Sequence, residues 1–200
     1  PKVLEAIGQF ADGWLVYTPG GVVGRAERIA EKLATARRHA EAAGRDPRAI
    51  TCGTLPLMLC HPDRDRVEQW LDHPFMQWHA LTGFPFGKAW REFGYEHPLG
   101  DAHSITLQGN MATMPLADVL ALCRRVPREM VQNALYWGTP DDVVPRLIEE
   151  VEAGARHLAL CNYVGFLSRA DAPAATQALL EVARRVKARF PEFAKPALLD

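Results

Sequence analysis

The chain has 200 residues, of which 48% are hydrophobic and 24% charged, the balance of one ordinary globular domain. A formal net charge of -1 supplies no field to attract nucleic acid or an anionic membrane surface, so neither is expected as a partner. No apolar run approaches the roughly 18–20 residues that span a bilayer, and no basic-then-apolar leader opens the chain.

Pro1 is not an initiator residue, and Pro1-Lys2-Val3-Leu4 runs straight into a helical pattern with no strand before it. An upstream stretch is therefore expected to be missing. Val3, Ile7 and Phe10, with Leu4 and Ala11, form the apolar stripe of a short helix that Asp12-Gly13 ends. Trp14-Leu15-Val16-Tyr17-Thr18 is continuously apolar enough for a strand buried on both faces, and Pro19-Gly20-Gly21 breaks it. From about Gly24 to Ala43, Ile29, Ala30, Leu33, Ala36 and Ala40 recur at helical spacing, with Arg28, Glu31, Lys32, Arg37 and Arg38 on the wet side. Gly44-Arg45-Asp46-Pro47 stops that helix. Ile50 to Cys60 reads as a second buried strand, parallel to the first through a right-handed crossover.

The alternation then breaks over residues 62–137, an aromatic-rich helical insertion holding Trp70, Phe75, Trp78, Phe84, Phe86, Trp90, Phe93 and Tyr95. It resumes at Thr139-Pro140-Asp141-Asp142, which supplies an N-cap, a first-turn proline and two favourably placed acids. Val143, Leu147, Ile148 and Val151 make the inward stripe of this helix, and Pro145 is expected to kink it or delay its start. His157 to Asn162 is a third buried strand, and a last helix runs from about Pro173 to Arg189. Cys52, Cys60, Cys123 and Cys161 form no C-x-x-C pair, which predicts buried free thiols in a reducing cytoplasm. Strands alternating with helices give an α/β fold, and periodicity alone leaves a barrel and a doubly wound sheet both open.

Several segments in order resemble the luciferase-like monooxygenase superfamily, particularly its branch dependent on the deazaflavin coenzyme F420. They are Pro1 to Leu15 with its Ala11-Asp12-Gly13-Trp14 ending, Arg37 to Pro47, and Gly138 to Val143 followed by Glu152 to His157. Glu96-His97-Pro98-Leu99-Gly100 looks like the F420-linked branch and the phthiodiolone-type ketoreductases. The resemblance implies the C-terminal portion of a TIM-like (β/α)8 barrel, with strands six to eight, their helices, and an insertion after strand seven. All 200 residues then belong to one partial barrel domain, since a whole barrel takes about 250 residues. A sheet starting at Trp14 should show an open edge, or be covered by a homodimer partner or by a chain supplying the missing strands.

The implied activity is hydride transfer, as an F420-dependent oxidoreductase, to or from a small or lipid-like carbonyl or alkene substrate. The stretch by itself is expected to be inactive, because the family's reacting residues come largely from early strands, so no catalytic residue is assigned. An FMN-dependent monooxygenase of the same superfamily and a noncatalytic half-barrel binding or assembly subunit are the alternatives, with a metal-dependent hydrolase a distant third. Active sites on barrels lie at the carboxyl ends of the strands. Pro1, Lys2 and Val3, at a helix amino end, are the candidates for the coenzyme phosphate, against a plain exposed terminus. Tyr17, Thr18 and Gly20 are candidates for the coenzyme itself, against an ordinary turn. His61, Phe75, Trp78, Asn162 and Tyr163 are the substrate candidates, with caps, loop contacts and core packing as the bland readings. His61, His73, His79, His97 and His103 make no metal-ligand spacing, so no metal is expected.

Overall fold

The computed structural model describes residues 2–104 and 114–193. Helix α1 (Lys2–Phe10) leads into strand β1 (Gly13–Thr18), a 3-10 turn (Gly20–Val22) and helix α2 (Glu27–Ala42). Strand β2 (Thr51–Cys60) follows, and then the insertion: α3 (Arg64–Leu71), α4 (Pro74–Thr82), a 3-10 segment (Gly87–Phe93), α5 (Leu116–Cys123) and α6 (Arg128–Ala134). The chain returns through β3 (Tyr136–Gly138), α7 (Pro140–Glu152), β4 (His157–Leu158), β5 (Cys161–Asn162), the short α8 (Val164–Leu167) and α9 (Ala172–Arg189).

Strand β2 is the centre of the sheet, and every pairing is parallel. Gly53 and Thr54 pair with both β1 and β4, while Met58 pairs with both β3 and β5. Hence β1 and β3 line one edge of β2, and β4 and β5 line the other. The expected strand over residues 157–162 is one line in two pieces. Its ladder continues through Ala159 N–H donating to the Thr54 carbonyl and Tyr163 N–H donating to the Met58 carbonyl, both at 2.9 Å. The three strands expected from sequence therefore lie side by side with their carboxyl ends together. Strand β3 was not expected; three residues are too few for a period to show. Among the described residues β1 pairs only with β2, so its outer edge is open.

Alternation along the strands assigns two faces. Val16 and Cys52 pack against Ile29, Leu33 and Ala36 of α2. Met58, Cys60 and Tyr136 pack against Val143, Leu147 and Val151 of α7 and Val182 of α9. Those helices cover one face of the sheet, as right-handed crossovers require. Leu15, Tyr17, Gly53, Leu55, Leu57, Leu59, His157 and Cys161 have the opposite parity and share the other face, by the strand register. This face is open at its amino-terminal end, where Leu15 keeps 65% of its surface exposed. At the carboxyl end the insertion closes over it, burying Leu59 with Leu71, Met76, Trp78, Leu81, Trp90 and Met130.

Two local expectations are corrected. Helix α7 starts at Pro140 with Pro145 inside it, so the proline does not delay its start. A capping box of Thr139 and Asp142 secures the first turn, and Pro145 removes only the one N–H that would have reached Asp141. The apolar stripe of α1 faces inward only in part: Ile7 packs on the α2 core, but Val3 is 70% and Phe10 80% exposed. The helix packs through Gly8, where a Cβ would fall 2.5 Å from the Ala36 carbonyl oxygen of α2. Arg45 fixes its end, donating to the carbonyls of Gly8 at 2.7 Å and Ala11 at 3.0 Å.

Candidate functional site

The carboxyl ends of β1, β2 and β5 bring Tyr17, Leu55, Leu57, Leu59, Cys161 and Tyr163 onto the face opposite the helices, where the insertion meets the sheet. The Tyr163 ring is held edge-on by Phe75 at 5.6 Å and by His79 at 5.1 Å between centroids, with Phe166 of α8 at 6.0 Å. Burial pushes the Tyr163 phenol up to about 12, with a smaller push from Cys161 on the same face. Burial alone takes Tyr17 to about 12. Both therefore stay protonated at neutral pH and can donate hydrogen bonds. His79 is buried with Nε2 at 3.2 Å from the Ala134 carbonyl, and burial holds its pKa below the ordinary value. The groups around the Tyr163 ring are aromatic and uncharged at neutral pH, which suits a flat uncharged ring or chain better than a charged ligand.

The expected site residues divide. Phe75 and Tyr163 lie in the carboxyl-end cluster, and Tyr17 shares the sheet face it borders. Thr18 does not: it follows Tyr17 on the strand and so points to the helix side, where its hydroxyl lies against Glu150 and Tyr136 without a well-aligned hydrogen bond. Asn162 likewise faces the helices. Its Oδ1 accepts from Cys60 N–H at 3.1 Å and its Nδ2 donates to the carbonyls of Cys60 at 2.8 Å and Ala175 at 3.3 Å, which makes it a clamp between strands. Gly20 makes a close approach, but to the insertion: a Cβ there would sit 1.8 Å from the Gly83 carbonyl oxygen. Trp78 is buried in the core of the insertion. Lys2 and Val3 are exposed at the amino end of α1, and Pro1 lies outside the described residues.

His61 is buried beneath Trp70, whose ring it meets edge-on at 5.6 Å. Its Nδ1 accepts the Asp63 N–H at 3.1 Å, which places the proton on Nε2, and that atom faces Asp171 Oδ1 at 3.9 Å. It anchors the loop after β2. His73 caps α4 by accepting the Phe75 N–H at 3.1 Å. Among the described residues no three His, Cys, Asp or Glu side chains gather as metal ligands.

Sequence reasoning missed Phe166, which is 73% exposed beside Tyr163, and it missed Glu150. That carboxyl is fully buried behind the sheet, accepting from the Thr54 hydroxyl at 2.7 Å and the Tyr136 hydroxyl at 2.6 Å. Desolvation raises its pKa above the ordinary glutamate value. A recess of about 440 Å³ between α2 and the end of α7, lined by Leu33, Arg37, Pro47 and Gly154, lies at the amino ends of the strands, the scaffold end of such folds. A smaller one of about 140 Å³, lined by Pro19, Gln132, Asn133, Tyr136 and Arg146, lies on the carboxyl side.

A family model described as luciferase-like monooxygenase matches residues 1–157. The chain belongs to the luciferase-like monooxygenase family. It is 33% identical over 162 residues to the phthiodiolone/phenolphthiodiolone dimycocerosates ketoreductase of Mycobacterium bovis, a match covering 81% of this chain and 41% of the relative. The Mycobacterium kansasii enzyme of the same name is 32% identical, covered over 42% of its length. The chain thus spans about two fifths of the length of these luciferase-like relatives. Its fold is similar to that of the coenzyme F420-dependent tetrahydromethanopterin reductase of Methanopyrus kandleri, at TM-score 0.60 and 18% identity, covering 95% of this chain and 48% of that one. It is also similar to an F420-dependent secondary alcohol dehydrogenase in complex with an F420–acetone adduct, at TM-score 0.52 and 13% identity, covering 98% and 47%. No helix among the described residues is long and apolar enough to cross a membrane.

Proposed function

We propose that the chain is the C-terminal portion of a (β/α)8 barrel, with β1, β2 and the β4–β5 line as strands six, seven and eight. In this reading it belongs to a coenzyme F420-dependent oxidoreductase that transfers a hydride to or from a small or lipid-like carbonyl or alkene substrate. One observation carries the reading. The face of three parallel strands opposite the helices carries protonated Tyr17 and Tyr163 with apolar Leu55 and Leu57, toward the carboxyl ends where such folds hold their ligands. The ketoreductase relatives support the substrate class. The F420-dependent neighbours share the fold.

The residues present fit one wall of a deazaflavin site. Gly53 and the leucines leave the floor free of charge, so a flat conjugated ring can lie on it, and the amino end of α1 with Lys2 suits an anionic tail. When bound, that coenzyme supplies the hydride. The chain's own groups bind and orient the ligands and exclude water. The open edge of β1 suits pairing with further parallel strands, from the same protein or from a second copy.

Titration with F420 and with FMN, followed by coenzyme fluorescence, tests the reading. Saturable binding of F420 at least tenfold tighter than of FMN is expected. Preference for FMN moves the assignment to a flavin monooxygenase. No affinity for either leaves a noncatalytic binding or assembly subunit.

A further inference from the structure

We propose that Tyr163 delivers the proton to the carbonyl oxygen of a ketone substrate, with Phe75 and Phe166 holding the ketone's alkyl chain beside it. This rests on the hydride-transfer reading above and adds the acid and the chain-binding wall to it. Tyr163 follows the β4–β5 line and is fixed there by its N–H donating to the Met58 carbonyl at 2.9 Å. Phe75, His79 and Phe166 bracket its ring. Among the described residues its hydroxyl has no hydrogen-bond partner, although the residue is half-buried. A phenol so placed can donate to an acceptor that binds beside it.

Lack of charge and exposed apolar surface together select the occupant. Phe166 and Phe75 are 73% and 41% exposed beside the Tyr163 ring, and a contiguous aromatic surface of this kind marks a place where a ligand covers it. Helix α4, helix α8 and residues 161–163 contain no Asp, Glu, Lys or Arg, and the buried His79 stays neutral. Nothing in the wall neutralises a carboxylate, a phosphate or a charged peptide. An uncharged ketone with an alkyl chain is complementary to it: the chain lies on the two phenylalanines and the oxygen accepts from Tyr163.

The step balances. Were the reduced coenzyme of the proposed reading bound, it would supply the hydride to the carbonyl carbon, and the electron pair of the broken π bond would fall to the oxygen. The O–H bond of Tyr163 breaks toward that oxygen, giving the alcohol and a phenolate, which water reprotonates.

The test uses no coenzyme. Methyl undecyl ketone, isotope-labelled at its carbonyl carbon, is titrated into the chain, and affinity is read together with the carbonyl resonance by NMR. Saturable binding with a downfield displacement of that resonance is expected, as hydrogen bonding to the oxygen produces. Tyr163→Phe should abolish the displacement and weaken binding roughly 3- to 10-fold. Phe166→Ala should keep the displacement and weaken binding about 10-fold. No saturable binding, a displacement that survives Tyr163→Phe, or laurate binding as tightly as the ketone would each overturn the proposal. If Tyr163→Phe does not fold, the labelled Cζ resonance of Tyr163 in the unmodified chain must move on ketone binding, and an unmoved signal overturns it equally. Failure here leaves the hydride reading standing. Failure to bind either coenzyme removes that reading and leaves the ketone contact measurable.

Discussion

Behind the sheet the carboxyl of Glu150 is buried, cradled by the hydroxyls of Thr54 and Tyr136. In the insertion the buried groups are bases. His79 sits on the Ala134 carbonyl, and His97 places Nε2 at 3.0 Å from the Leu81 carbonyl while Nδ1 accepts the Leu99 N–H at 3.1 Å. Burial favours the neutral form in each case, so it raises the Glu150 pKa and lowers those of both histidines. The consequences for stability have opposite sign. The Glu150 contribution is complete below the ordinary glutamate value of 4.5 and is lost as pH rises through its raised folded value. The histidine contribution is complete above the ordinary value of 6.5 and is lost as pH falls below it. Acid should loosen the insertion and spare the strand layer, although both belong to one chain.

The largest expected break in that comparison is Trp90→Ala. Trp90 is fully buried at the centre of the insertion, and its truncation should cost about 3–5 kcal/mol. Hydrogen exchange should rise across residues 64–93 while β1 and β2 keep their protection. Exchange rising equally in the strands would mean that the two regions are one cooperative unit. Next, Glu150→Leu should cost about 2–3 kcal/mol by orphaning the Thr54 and Tyr136 hydroxyls, as read by denaturant unfolding. Glu150→Gln should stay within about 1 kcal/mol of the parent and lose the decline in stability as pH rises. A parent curve as flat as that of the Gln variant would contradict a buried neutral acid. Acidification from neutral pH to below 6.5, the ordinary histidine value, should alter the fluorescence of the insertion's Trp78 and Trp90 before exchange in β2 increases. The smallest effect is at the surface: Arg91→Ala breaks an exposed pair with Asp101 and should change stability by less than about 1 kcal/mol.

The strands over 14–18, 50–60 and 157–162 were legible because continuous apolar runs between strong breakers have few other readings. Which residues face the site was less legible. Tyr17 and Thr18 were both assigned to the mouth, as were Asn162 and Tyr163, yet adjacent residues along a strand point to opposite faces. Period two was available in the sequence and separates each pair as the structure does. Glu150 was hidden by its chemistry, since a glutamate in a helix reads as a wet residue. Its spacing of seven from Val143 puts it on the inward stripe all the same. His61 read as a mouth residue because it ends β2, but Trp70, nine residues on, folds back over it, and a tertiary return of that kind leaves no periodic trace. The exposure of Val3 and Phe10 was invisible for a similar reason: the stripe gives the apolar side of α1, while Gly8 decides which side meets α2.

Ligands are expected to meet the sheet on the face opposite the helices, where the insertion borders its carboxyl end, with the helix-covered face serving as scaffold. Hydrogen exchange of the chain with and without F420 tests this directly. New protection is expected at residues 17–23, 57–61 and 161–166 and at the start of α1, with no change along α2, the C-terminal half of α7 or α9. Protection confined to the recess between α2 and the end of α7, or none at saturating coenzyme, would contradict it.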